Sequence, residues 1–205
     1  MSFSKKILIS LLLSAACLCL IAWADTLDDI KRDLGRVRSL EAQFVQKKTT
    51  PILAKPLVSE GRMYFQAPSC MKWEYTSPFK DVLVINKGKS LHYSIDKNGN
   101  RTVSDSGSMS RGMVFQEITG WMNGNFESKY FKAALKPGSP KIIVLTPRQK
   151  SIAEFIRKIE MSLSDKPGIM NSIRIYEKEN TVTLLEFRNV ELNKKIDEAA
   201  FRVEE

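Results

Sequence analysis

The stretch "GRMYFQAPSCMKWEYTSPFKDVLVINKGKSLHYS", Gly61–Ser94, alternates apolar and polar residues with the period of two that marks β-strands. Pro, Gly, Ser and Asn divide it, so the pattern predicts short strands over Leu57–Ala67, Met71–Thr76, Asp81–Asn86 and Ser90–Ile95. Within it stand Met63, Tyr64, Phe65, Met71, Trp73, Tyr75 and Phe79. Met63 shares a strand face with Phe65, and Met71 shares one with Trp73. Such a surface is either a packed core or the lining of a cavity.

The pattern extends in both directions. Upstream, Leu27, Ile30, Leu34, Val37 and Leu40 recur at spacings of three and four, which predicts an amphipathic helix capped by Asp25 or Thr26. Gly35 weakens that helix by roughly 1 kcal/mol relative to Ala. Ala42, Phe44 and Gln46 then open a strand, and Pro51 and Pro56 break the chain into a loop. Downstream, Asp96-Lys97-Asn98-Gly99 is a hairpin turn. From Ser110 to Gly124 the period becomes helical, with Met113, Val114, Ile118, Trp121 and Met122 between "SDSGSMSRG" and "NGN". Strands resume over Tyr130–Leu135 and Lys141–Thr146, and a short helix or turn is expected in Pro147–Phe155. Alternation at Ile159, Met161 and Leu163, then over Ile173–Glu177 and Thr181–Arg188, completes the pattern. The fold class is α+β, mainly antiparallel β, in a sheet that curls on itself.

The amino terminus carries an address. Lys5 and Lys6 precede an apolar run from Ile7 to Ile21, and Ala22-Trp23-Ala24 stands before Asp25. This pattern predicts a secretory signal peptide over residues 1–24 and a soluble exported chain over residues 25–205, read as one domain. Cys17 and Cys19 leave with the signal, so Cys70 remains as a lone buried thiol with no disulfide partner. The exported part has 30 basic and 23 acidic residues, a charge of +7. That excess suits anionic membrane surfaces or acidic partners better than nucleic acid.

Catalytic chemistry has little to work with. His92 is the sole histidine and sits on a strand between Leu91 and Tyr93, which predicts a structural role. No G-x-S-x-G elbow occurs, and "KGKS" at 87–90 is a turn without the rest of a phosphate loop. The expectation is a protein that is not an enzyme, with no catalytic residue, metal site or cofactor.

Ordered this way, the residues resemble the periplasmic outer-membrane lipoprotein carrier family, LolA-like proteins. The resemblance is carried by Phe44-x-Gln46; by Gly61, Met63, Phe65, Pro68, Met71, Trp73, Tyr75 and Pro78; by Asn86-x-Gly88; and by Phe187, Asn189, Asn193, Ile196 and Phe201. It implies an unclosed half-barrel sheet capped by lid helices, with acyl chains lying on the concave side. It assigns Phe44, Met63, Phe65, Met71, Trp73, Leu83, Leu91 and Tyr93 to an acyl-chain cavity. Met113, Val114, Ile118, Trp121 and Met122 become the apolar face of a lid helix. The flexible side chains of the seven methionines left after export suit cargo of variable shape. The implied partners of this periplasmic monomer are lipoproteins or other acylated lipids, an inner-membrane ABC release complex and an outer-membrane acceptor. The family often places an Arg before the Pro that opens the Trp strand, where it helps latch the lid; here that residue is Ala67. A lipid-sensing regulatory module of the same fold is the alternative.

Overall fold

The computed structural model describes residues 26–104, 117–136 and 138–203. Helix α1, Leu27–Gly35, begins at a reciprocal cap. The Thr26 hydroxyl accepts from the Asp29 amide at 3.2 Å, and the Asp29 carboxylate accepts from the Thr26 amide at 3.0 Å. The Thr26 backbone donor, aided by the Thr26 hydroxyl and Arg32, lowers the Asp29 pKa to about 2. The helix is shorter than the periodicity through Leu40 predicts. It stops at Gly35, and Leu40 is instead a strand residue paired with Phe65 and Leu192. Val37 and Leu40 are buried all the same, because strand and helix bury their apolar residues in one core.

Eleven antiparallel strands follow. They are β1 Ser39–Thr49, β2 Leu57–Gln66, β3 Cys70–Ser77, β4 Lys80–Asn86, β5 Lys89–Ile95 and β6 Arg101–Ser104. After a helical segment over 117–122, here α2, come β7 Phe131–Lys136 and β8 Ile142–Pro147. Helix α3, Lys150–Ala153, leads to β9 Ile156–Leu163, β10 Met170–Glu177 and β11 Val182–Leu192. A 3-10 turn over Glu198–Phe201 ends the described chain. All strands join one sheet in the order β6-β5-β4-β3-β2-β1-β11-β10-β9-β8-β7.

That order has a consequence for the helices. Each half of the sheet is a run of hairpins, and the seam between them pairs β1 with β11. β6 and β7 are the two outer edges and do not pair, so the sheet stays unclosed. The connection from β6 to β7 must therefore cross from one edge to the other, and α2 lies on that path. The expected α+β class and curled open sheet are what the chain adopts.

β11 runs four residues beyond the expected Arg188. The β1–β11 register slips between Glu41 and Gln43, where Asn189 takes a φ of 50°. Asn tolerates this left-handed backbone, and its side chain donates to Gln43 Oε1 at 3.0 Å. Asn193 repeats the device at φ 59° while its Oδ1 accepts from the Arg38 amide at 2.8 Å.

Candidate functional site

Strand parity decides which side chains meet, because residues opposite each other across a ladder share a face. Leu40 stands opposite Phe65, Ala42 opposite Met63 and Phe44 opposite Gly61. The next ladders set Phe65 against Met71, Met63 against Trp73, and Trp73 against Leu83. This face gathers into one large core, in which Phe44, Met63, Phe65, Met71 and Trp73 are each at most 1% exposed. The far half of the sheet adds Phe131, Ile143, Leu145, Ile159, Met161 and Leu185 to the same core.

An aromatic nest forms its centre. The Phe44 ring lies 4.4 Å from that of Trp73, with Tyr75 edge-on to Phe44 at 5.2 Å and Phe187 edge-on to Trp73 at 6.4 Å. Gly61 makes the nest possible: a Cβ there would collide with the Phe44 ring and the Glu74 carbonyl. The Tyr75 hydroxyl donates to Gln46 Oε1 at 2.9 Å, giving the polar edge of the nest a partner.

Helix α2 covers this face. Ile118, Trp121 and Met122 are buried in the same core, and Trp121 meets Phe131 edge-on at 6.2 Å. The Thr119 hydroxyl lies 3.8 Å from the Met71 sulfur. At the helix end, the Asn123 side-chain amide donates to the carbonyls of Thr119 and Pro68, both at 2.8 Å. Gly124 follows at φ +77°, where a Cβ would strike the Lys31 carbonyl. The end of α2 is thus fixed between α1 and the β2–β3 turn.

The cover also carries polar costs. Trp121 Nε1 is buried without a hydrogen-bond partner among the described residues. Burial raises the Glu117 carboxyl above its usual range, opposed by a hydrogen bond from Ser128 and the charge of Lys129.

Two expected cavity residues lie elsewhere. The two-residue turn Lys87-Gly88 pairs Asn86 with Lys89, which sets Leu91 opposite Val84, Tyr93 opposite Val82, and His92 opposite Leu83. Leu91 and Tyr93 therefore occupy the outer face. There Tyr93 packs against a second cluster of Cys70, Val82, Val84 and Phe201. Parity through the turn was the sequence signal for this; the resemblance had assigned both residues to the cavity. His92 is on the concave face instead, with Nε2 3.0 Å from both carboxylate oxygens of Asp81. Met113, Val114 and the signal segment lie outside the described residues.

Ala67 brings no guanidinium to α2. Its amide donates to the Arg38 carbonyl at 2.9 Å, and the contact to α2 is made one residue on, by Asn123 on the Pro68 carbonyl. Sequence reading missed Asn123, although an Asn directly after an apolar helical run is a helix-end signal.

Comparison with known proteins agrees with this architecture. The family model described as "Outer membrane lipoprotein carrier protein LolA" matches residues 35–204. An outer-membrane lipoprotein carrier protein of Erwinia tasmaniensis is 35% identical over 89 residues, a match spanning 43% of this chain and 43% of that relative. Among solved structures, a DUF1329 family protein from Desulfovibrio piger aligns with TM-score 0.50 at 10% identity, over 86% of this chain and 95% of its own. The complex of MucA and MucB from Pseudomonas aeruginosa aligns with TM-score 0.50 at 9% identity, over 87% of this chain and 60% of that one. At these identities the two structures speak for the fold alone.

Proposed function

The chain belongs to the LolA family of outer membrane lipoprotein carrier proteins, and we therefore propose that it shields the acyl chains of lipoproteins, or of a related acylated lipid, on the concave face of its sheet. In this reading residues 1–24 are removed on export and residues 25–205 work in the periplasm as a monomeric carrier. It takes cargo from an ABC release complex at the inner membrane and delivers it to an acceptor at the outer membrane. Phe44, Met63, Phe65, Met71, Trp73 and Leu83 form the acyl-binding wall, and α2 is the lid.

One observation carries the proposal. The aromatic and Met face of the sheet is covered by a helix whose Ile118, Trp121 and Met122 occupy the same core, rather than by closure of the sheet itself. Displacing the helix would expose an apolar trough, and cargo would fill it at a gain of roughly 0.8 kcal/mol per buried CH₂. A few chains held at that gain would never leave. Returning the lid's own apolar residues to the trough offsets part of it and makes release feasible. The Trp121 N–H, without a partner among the described residues, and the half-buried Glu117 carboxyl keep the closed lid from being too stable.

The test is acyl-probe fluorescence on folded Ile118→Ser and Trp121→Ser, followed by transfer to acceptor liposomes. Both changes should raise apparent affinity and slow release, because they weaken the competitor for the trough. Unchanged affinity in both variants would make α2 ordinary core. Lipid retained by the unaltered protein without any transfer would favour the lipid-sensing alternative.

A further inference from the structure

Among the described residues, the exposed large apolar side chains are concentrated at one end of the sheet. The strand registers place the β1–β2 loop, the β3–β4 turn, the β5–β6 turn, the α3 segment and the β10–β11 turn along one rim. On that rim Ile52 is 84% exposed, Phe79 74%, Phe155 63% and Leu57 55%, with Leu53 and Val58 beside them. Val103, on the edge strand β6, is the one other exposed large apolar residue among those described. Among the described residues the opposite end, where α1 and the end of α2 pack, has none.

A scattered exposed Leu needs no explanation, but six such residues along one rim do. Ile52, Leu53, Phe79 and Phe155 stand in connections that the fold holds in place, and Leu57 and Val58 open β2 beside them. The Leu53 amide donates to the Thr50 carbonyl at 3.2 Å, closing a turn at Pro51-Ile52. The Lys178 amide donates to the Phe155 carbonyl at 3.0 Å, tying α3 to the β10–β11 turn. The same connections carry eight Lys and Arg residues against four acidic ones, over 50–58, 77–80, 96–101, 148–157 and 177–181. Among the four acids, Asp96 is engaged by Asn98 and Asn100, and Glu177 by Lys48. Lys55 and Lys80 flank the two most exposed tips.

We infer that this rim is a docking surface for an anionic lipid bilayer. Protein partners select contiguous, complementary patches. Here they are spread over three connections, with Ile52, Leu53, Leu57 and Val58 around the β1–β2 loop, Phe79 in the β3–β4 turn and Phe155 after α3, and Lys55 and Lys80 stand among them. A bilayer interface accepts such a pattern, taking in the tips while the lysines remain among the headgroups. Docking sets the rim against the membrane and leaves the end holding α1 and the Asn123 anchor facing away. The inference is independent of the carrier reading, which concerns the concave face.

The experiment is co-sedimentation of the exported, cargo-free protein with vesicles of phosphatidylcholine, with and without about one-third phosphatidylglycerol. Binding is expected on the anionic vesicles only and should weaken with salt. Ile52→Ser/Phe79→Ser should lower vesicle affinity at least about tenfold. Lys55→Glu/Lys80→Glu should lower it about tenfold on anionic vesicles alone, while Val103→Ser should change nothing. All three variants alter exposed side chains, and unaltered melting curves confirm their fold. No vesicle binding, or equal losses in Val103→Ser, would overturn the docking surface. Loss of transfer to a protein acceptor without any vesicle binding would reassign the rim to a protein partner and likewise overturn it. Acyl-probe binding in solution should survive in both double variants. A protein that binds vesicles but no acyl probe would sink the carrier reading and leave the docking surface standing.

Discussion

Both faces of the β2–β5 region carry apolar patches, and each is covered by a short segment from elsewhere in the chain. On the outer face the cover is the C-terminal segment, with Ile196, Ala200, Phe201 and Val203 against Cys70, Val82, Val84 and Tyr93. Its polar groups are answered: the Asn86 side chain donates to the Phe201 carbonyl at 2.9 Å, Cys70 donates to Asn86 at 3.3 Å, and Asp197 caps the 3-10 turn. On the concave face the cover is α2, fixed at its end by Asn123 and burdened by Trp121 Nε1 and Glu117. Apolar burial is common to both. The hydrogen-bond accounting differs: the outer cover has its polar groups partnered, whereas α2 leaves Trp121 Nε1 without a partner among the described residues, as the proposed lid requires.

Four substitutions would break or sharpen this contrast. The largest effect is expected from truncating the aromatic anchor on either face. Phe201→Ala and Trp73→Ala should each cost about 3–5 kcal/mol in urea denaturation, since both side chains are fully buried. Only Trp73→Ala should weaken acyl-probe binding by the molecules that remain folded. Equal binding losses in the two would erase the distinction between the faces.

A smaller effect follows from freeing the lid end. Asn123→Ala removes the bond to Pro68 and should cost about 1 kcal/mol of closed-lid stability. Apparent acyl affinity should then rise about fivefold. A titration showing no rise would mean that Asn123 does not hold α2.

The smallest effect concerns pH. Burial raises the folded-state pKa of Glu117 above 4.5, so the closed state binds its proton more tightly than the open one. Closed-lid stability is then greatest below the unfolded value and falls as pH rises through the raised one. Acyl affinity should accordingly increase with pH across mildly acidic conditions. Glu117→Gln should flatten that slope, and probe titrations at several pH values would show whether it does.

Much of this architecture is legible in the sequence because its determinants are local. Period-two alternation located the strands of Gly61–Ser94, and Asn98-Gly99 located the β5–β6 hairpin. Met63, Phe65, Met71 and Trp73 share the concave core, as alternation required. Leu91 and Tyr93 were misplaced because side choice there depends on parity across a two-residue turn, which hydrophobicity does not carry. Helix α1 was overextended because Leu40 satisfies the helical spacing and the strand spacing alike. The Asn123 anchor joins residues 55 apart, and no local pattern marks its partner at Pro68. The left-handed Asn189 and Asn193 were visible as residues of a resemblance, but their physical reason, a bulge and a bent strand end, required the backbone.

The β1–β11 seam bears on the order in which this protein can be assembled. Every other neighbour in the sheet is also a neighbour in sequence, so two stacks of hairpins can zip up separately at little loop-closure cost. The seam joins Leu40 to Leu192, and its closure must wait until the last strand is available. A chain emerging amino terminus first therefore holds β1 with one flank unpaired until β11 has emerged, however early the two hairpin stacks form.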